Sequence, residues 1–357
     1  MKKVLFVFNH PAPYKVRLLN KLSEFLDLDV IFERHKASDR NKAFYYERDY
    51  KFNLLPVKGI KVGAENFISK GIVKAIKRRH YDYVIMNGYS TFAEMKAIKY
   101  LKSIGEPYCL YINGGIINRD EPRWKTNLKR KYISGAEFYM SPDENSDNYL
   151  VYYGAIQSLI KSYTYSTVYE SEIIKSLPSE KEIHDLKEDL HIYADKVYVS
   201  CGQLIKRKNY IDLIKAWPND KNKVLIIIGD GKQRKHIQNM IKKNNIRNVK
   251  LIGYQQRERM FDYYKIANGF IFPSRKDIYG HVINEALSQG LPVISFENVN
   301  SAKKLIEEGK NGYIVSSIED LINSLEKLDH CDKKYCVEIA KKNTIEIMVE
   351  EHKKILA

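Results

Sequence analysis

Two carboxylates in the second half of the chain offer the clearest chemistry in the sequence. Asp277 and Glu285 are separated by seven positions, and Tyr279, Gly280, His281 and Val282 between them start what reads as a helix. Glycine lets a ligand approach the backbone, and the free N–H groups of a helix start favour a phosphate. A carboxylate in the preceding loop can accept hydrogen bonds from a sugar, and one placed one to two turns into the helix can accept them from ribose hydroxyls. Upstream, the stretch from Gly202 to Asn209 follows an apolar run, precedes a helical pattern and carries the basic run Lys206-Arg207-Lys208. Gly229 and Gly231, Gly253, and Ser274 after Phe272-Pro273 each lie where a predicted strand ends, at turns.

The elements that must position these residues follow from apolar periodicity. In the first half, strands are predicted at Lys3–Asn9, Leu28–Phe32, Tyr83–Met86 and Tyr108–Ile112, with helices at Tyr14–Leu26, Ser69–Arg79 and Thr91–Ser103 between them. The pattern loosens from Tyr163 to His191. A second series then begins, with strands at Lys196–Ser200, Val224–Ile228, Val249–Ile252, Gly269–Phe272 and Pro292–Phe296 and helices such as Tyr210–Ala216 and Lys232–Lys243. Strands alternating with helices imply α/β architecture with parallel sheets covered on both faces. The expected organisation is a first domain over 1–165, a connection over 166–190, a second domain over 191–335, and a basic C-terminal helical segment over 336–357 that packs back on the first domain. In open α/β sheets ligands bind beyond the carboxyl ends of the strands, so two such domains in tandem are expected to share a cleft there.

Composition narrows the class. A chain of 357 residues with 44% hydrophobic and 29% charged residues can bury two cores and does not read as disordered. Cys109, Cys201, Cys331 and Cys336 form no CxxC pair, which argues against a zinc or redox motif and fits a reducing cytoplasm. No window approaches the apolar length of a membrane span. The net charge of +16 favours an anionic partner, whether nucleic acid, phospholipid or phosphorylated substrate, and an abundance of surface lysine explains it equally well.

The stretch from Asp277 to Glu285, with its continuation Glu285-Ala286 and Gly290-Leu291-Pro292-Val293-Ile294, resembles the Glu-x7-Glu signature of family-4 retaining glycosyltransferases, with aspartate at the first acid. The Gly202–Asn209 segment is similar to that family's diphosphate-binding segment: Lys208 matches its lysine, Gln203 stands at its arginine, Asn209 replaces its glycine, and Arg207 supplies a second charge. The resemblance thus implies Arg207 and Lys208 as a cationic clamp, since fixed cations stabilise the negative charge that builds up on a departing diphosphate. In the first half, the stretch from Asn9 to Arg17, with Pro13 and Tyr14, resembles the Pro-x-Pro-Tyr-Arg opening of polysaccharide-assembly members, and Gly114-Gly115 their glycine loop. The resemblance implies a GT-B fold of two Rossmann-like domains and transfer of a hexose or N-acetylhexosamine with retention, by front-face displacement. It implies Asp277, Lys208, Arg207 and His10 as catalytic candidates. The donor, a UDP-sugar, would meet Gly202, Gly229, Gly231, Gly253, Ser274, Tyr279, Gly280, His281, Val282 and Glu285, and the acceptor Pro13, Tyr14, Gly114 and Gly115. No cofactor and no metal are expected. The implied acceptor is a saccharide or polyprenyl-linked saccharide of bacterial capsule, exopolysaccharide or lipopolysaccharide assembly.

Arg123–Ile133 mixes Trp124, Leu128 and Tyr132 with five basic residues, as a helix resting on an anionic membrane surface would, and Phe67–Arg79 has the same character. That fits an enzyme on the inner face of the plasma membrane; a packed helix with a solvated basic face fits equally well. Two other classes remain: a nucleic-acid-binding protein, which the lack of a helix-turn-helix or RNP-like motif disfavours, and another GT-B enzyme such as an epimerase or phosphorylase.

Overall fold

The apolar runs of the first half become parallel strands buried from both sides, which is why they read as continuous rather than alternating. A computed structural model describes residues 1–36, 42–45, 49–62, 66–69 and 71–357, without the side chains of residues 42, 60–62 and 66–69. The strands are β1 (Lys3–Phe8), β2 (Asp27–Phe32), β3 (Asn53–Leu54), an antiparallel hairpin of β4 (Gly59–Val62) and β5 (Asn66–Ser69), then β6 (Tyr83–Met86), β7 (Cys109–Tyr111), β8 (Phe138–Ser141) and β9 (Ile160–Ser162). Their main sheet runs β3-β2-β1-β6-β7-β8-β9, with every pairing parallel. Helices α1 (Pro13–Leu22), α2 (Ile72–Ile76), α3 (Phe92–Ile104), α4 (Arg123–Ile133) and α5 (Glu144–Tyr152) connect them. Thr91 caps α3 in a reciprocal box with Glu94, and Gly105, in the left-handed region at φ 67°, ends it. The predicted helix over Ser69–Arg79 is shorter: Ser69 ends β5, and α2 runs only from Ile72 to Ile76; the side chains of residues 67–69, and residue 70, lie outside the described residues.

The second sheet, also all parallel, has β10 (Lys196–Cys201), β11 (Lys223–Ile228), β12 (Val249–Gly253), β13 (Gly269–Phe272), β14 (Val293–Phe296) and β15 (Gly312–Val315) in the order β12-β11-β10-β13-β14-β15. Its helices are α6 (Glu180–Leu190), α7 (Tyr210–Ala216), α8 (Arg234–Lys243), α9 (Arg257–Lys265), α10 (Val282–Ser288), α11 (Asn300–Leu305), α12 (Ile318–Asn323) and α13 (Lys333–Lys341), and α14 (Ile345–Leu356) follows. In both sheets the order turns around the first strand, β1 or β10, so its carboxyl end sits at the switch point where ligands bind.

The chain divides into a unit of residues 1–165 with 345–357 and a unit of residues 166–344. Residues 166–190 therefore belong to the second unit rather than forming a separate connection, and they include α6 with its Ser179–Glu182 capping box. The return to the first unit falls at 344/345 rather than 335/336. There His352 of α14 is fully buried, its ring 4.9 Å from that of Tyr163 and 5.6 Å from that of Tyr111. Burial pushes this imidazole down to about 4, so it packs as a neutral core group. Glu351 accepts hydrogen bonds from the Thr164 N–H and hydroxyl.

Candidate active site

After β10 the chain forms a loop and a single 3-10 turn at Lys206–Lys208, and Asn209 then takes φ 60° before α7 begins. Asparagine tolerates that left-handed conformation better than most residues, which accounts for its standing where glycine was expected. The turn delivers two cations to one acid. Lys208 Nζ lies 2.5 Å and Arg207 Nη1 2.7 Å from Asp277 Oδ2, and Lys208 also sits 4.2 Å from the centre of the Phe272 ring. Burial would raise the Asp277 carboxyl, but the charges of Lys208 and Arg207 hold it below its ordinary value. Backbone bonds fix its loop: Asp277 N–H donates to Asn298 O, and Arg275 N–H to Arg207 O, each at 3.0 Å. Ser274 Oγ sits over the same turn, 3.4 Å from Arg207 O and 3.2 Å from Lys276 O. The clamp and the first acid, read from sequence as facing a diphosphate and a sugar, here face each other.

Glu285 is the fourth residue of α10, in its first turn rather than deeper in the helix, and it is buried. Its Oε1 accepts from Thr167 Oγ1 at 2.9 Å and from Arg257 Nη1 at 2.7 Å. Burial works to raise this carboxyl, and the Arg257 charge with both hydrogen bonds pulls it below its ordinary value. Arg257, Thr167 and Glu172 escaped the sequence reading, since they come from α9 and from the stretch mistaken for a linker. The Tyr279 ring is buried and 4.9 Å from that of His281, the residue before α10. Val282 packs on the core beneath.

The glycines after β11 also have a packing role. A Cβ at Gly229, whose φ is 138°, would lie 2.0 Å from Gly202 O, and one at Gly231 2.6 Å from Leu204 O. They let the turn after β11 press against the 202–204 loop backbone to backbone, which shapes the support of Arg207 and Lys208. Gly253 similarly leaves room for Arg234, and Gly280, at φ 100°, for Phe272, Val299 and Ser301. Gly229→Ala should therefore destabilise the protein by roughly 2–4 kcal/mol in a urea titration; a loss under about 0.5 kcal/mol would contradict this packing.

The first unit gathers polar groups at the carboxyl ends of β1, β6 and β7. Lys15 Nζ is buried and lies 3.0 Å from both Asn9 Oδ1 and Asn87 Oδ1, and Asn87 Nδ2 donates to Tyr111 O. Burial, only partly countered by Glu94, pushes this amine down to about 7. Burial next to Glu94 likewise pushes Glu33 up to about 8. Lys15 stands at the arginine of the Pro-x-Pro-Tyr-Arg motif but was not singled out as a site residue, though a lysine on the apolar face of α1 was a legible signal. Of the expected acceptor-side residues, Pro13 opens α1 and Tyr14 packs edge-on against Tyr165 at 5.5 Å. The His10 ring packs edge-on against Tyr45 at 5.8 Å, with Nδ1 3.4 Å from the Tyr45 hydroxyl. Gly114 takes φ 140°; Gly115 N–H donates to Ser146 Oγ, and a Cβ at Gly115 would strike the Tyr149 ring at 2.4 Å.

Residues 182–344, which contain Arg207, Lys208, Asp277 and Glu285, match the family described as Glycosyl transferases group 1. The match lies wholly within the second unit. The chain is similar to an uncharacterized glycosyltransferase, MJ1059, of Methanocaldococcus jannaschii, 31% identical over 39% of this chain and 34% of that protein. It is also similar to a Campylobacter jejuni N-acetylgalactosamine-N,N'-diacetylbacillosaminyl-diphospho-undecaprenol 4-alpha-N-acetylgalactosaminyltransferase, 24% identical over 45% of this chain and 44% of that protein. The first curated relatives are thus matched over about a quarter to a half of their own length. Over the whole chain the fold is that of GT-B glycosyltransferases. Anabaena HepE in complex with UDP-glucose superposes with a TM-score of 0.75 at 17% identity, covering 100% of this chain and 99% of that one. The alternation of strands and helices in the sequence implied two such parallel-sheet units.

Proposed function

We propose that the protein is a retaining glycosyltransferase that moves a hexose or N-acetylhexosamine from a UDP-sugar to a lipid-linked or polysaccharide acceptor in the assembly of bacterial surface polysaccharide. The observation that carries this reading is the convergence of Lys208 and Arg207 on Asp277, in a stretch that matches the Glycosyl transferases group 1 family and whose Glu285 is held ionised. The two cations would neutralise the diphosphate, and Glu285 would accept from the ribose. In the reaction the bond between the anomeric carbon and the phosphate oxygen breaks, and the acceptor hydroxyl oxygen bonds that carbon on the same face. Its proton passes to the departing phosphate oxygen, so no protein nucleophile is needed. Lys208 and Arg207 would hold the charge that accumulates there, which removes the need for a divalent ion; turnover should persist in excess EDTA.

The UDP-glucose complex of HepE and the undecaprenol-linked substrate named for the Campylobacter relative support the donor and acceptor classes. On the acceptor side His10, Pro13, Tyr14, Gly114 and Gly115 belong to the proposed site, now with Lys15 beneath them. Among the described residues no helix is long and apolar enough to cross a membrane. Peripheral attachment to anionic lipid is part of the proposal: α4 carries five basic residues and no acid, with Trp124 64% and Leu128 38% exposed.

A calorimetric and thermal-shift panel of UDP, GDP and their sugar conjugates tests the reading with wild type and Glu285→Ala. One nucleotide should bind and raise the melting temperature, with at least tenfold weaker affinity in the variant. A folded protein that binds none of them would end this reading.

A further inference from the structure

Among the described residues, Arg257 is the one cation that touches Glu285. It is the first residue of α9, delivered by the turn after β12, and its side chain is only 12% exposed. Every edge of its guanidinium is used. Nε and Nη2 meet the two oxygens of Glu172 at 2.8 and 3.1 Å, Nη1 donates to Glu285 Oε1 at 2.7 Å, and Nη2 also donates to Thr167 O at 3.1 Å. The Phe261 ring lies beneath it at 4.9 Å. Thr167 contributes twice, its carbonyl accepting from Arg257 and its hydroxyl donating to Glu285. A planar five-donor fork seated this way has no rotamer freedom left, and neither does a carboxylate oxygen it shares with a threonine hydroxyl.

We propose that Arg257, seated on Glu172 and Thr167, is a positioning residue for the donor nucleotide, fixing the Glu285 carboxylate in the ionised orientation from which it accepts the nucleotide's hydroxyls. The proposal rests on the glycosyltransferase reading above. Its physical content is that Glu285 is buried and would otherwise be driven toward the protonated form, which cannot accept on both oxygens. The titratable and charged groups around it are Arg257 and Tyr264 of α9, His281 ahead of α10, and Cys201 at the end of β10, with Glu172 on the far side of the guanidinium. Among the described residues, only Arg257 supplies a permanent positive charge in direct contact.

The test is UDP binding, or GDP if the panel selects it, measured by calorimetry from pH 5.5 to 8. It uses the full chain as wild type, Arg257→Gln, Arg257→Lys and Glu172→Gln, each checked by circular dichroism. Wild-type affinity should change little across this range. Arg257→Gln should bind at least tenfold more weakly at pH 7, and weaker still as the pH falls, because burial then raises the Glu285 carboxyl against only the Thr167 hydrogen bond and the His281 charge. Arg257→Lys should restore the flat pH profile but only part of the affinity, since an ammonium cannot span Glu285 and Glu172 together. Glu172→Gln should lose several-fold. A purely structural role would lower the melting temperature without a pH-dependent loss of binding, and would overturn the proposal. So would a folded Arg257→Gln that binds as wild type does at every pH. If Arg257→Gln does not fold, the lysine and Glu172 variants decide by the same criteria: wild-type affinity in both overturns it. Absence of binding by wild type itself rejects the enzyme reading and this proposal together, whereas wild-type binding with unaffected variants rejects the proposal alone.

Discussion

Lys208→Ala should lower the rate of sugar transfer by about 10²–10³-fold, the usual scale for removing one preorganised group that stabilises developing negative charge. The ammonium is buried, stacked over Phe272 and 2.5 Å from Asp277, so little of its effect is screened by solvent. Its loss does not strand the acid, because Arg207 still donates to the same oxygen. The cost in stability should accordingly be modest, about 1–3 kcal/mol. Arg207, with its side chain 41% exposed, should matter less than Lys208. Initial rates on the donor chosen by the binding panel, with urea titrations alongside, check both statements. A folded Lys208→Ala protein that retains more than about a tenth of wild-type activity would remove Lys208 from the catalytic centre.

Asp277→Asn should separate binding from turnover: UDP should bind on the order of tenfold more tightly while transfer falls by at least about a hundredfold. One carboxylate oxygen occupies the two cations that a diphosphate needs, so an incoming nucleotide must compete with it. The amide keeps the shape and removes the competing charge, which frees Lys208 and Arg207 for the ligand. Transfer falls because the group expected to orient the donor sugar is neutralised. The sign of the accompanying pH effect follows from the depressed carboxyl of Asp277. Its contribution to stability is fully present above the ordinary aspartate value and is lost as the pH falls through the lower folded value, so wild type should lose more stability than Asp277→Asn in acid. Weaker UDP binding by the asparagine variant would show that Asp277 assists the nucleotide instead of competing with it.

Much of this was legible in the sequence, for a physical reason. Strands buried on both faces leave unbroken apolar runs, so Tyr83–Met86 and Gly269–Phe272 could be placed to the residue. What was missed is short or polar: β8 and β9, three to four residues long, and β15, which is only half-buried in its middle. Asp277, Glu285, Arg207 and Lys208 were found because their chemistry is local in sequence. The pairing of Asp277 with the clamp was not legible, because it joins residues 69 and 70 positions apart. Arg257 was invisible for the same reason: its partners Thr167 and Glu172 lie 90 and 85 positions away, in a stretch whose loss of periodicity suggested a linker. The glycines were recognised as special, but backbone-on-backbone packing and ligand approach leave the same mark on a sequence.

The helix that carries His352 belongs to the first unit although all of the second unit precedes it in the chain. The second unit is in effect an insertion. During synthesis the first unit would therefore emerge with Tyr111 and Tyr163 lacking their covering imidazole until α14 has been made. During that interval the exposed aromatic face would be open to aggregation or chaperone capture, so the unit begun first is completed only after the second has been made.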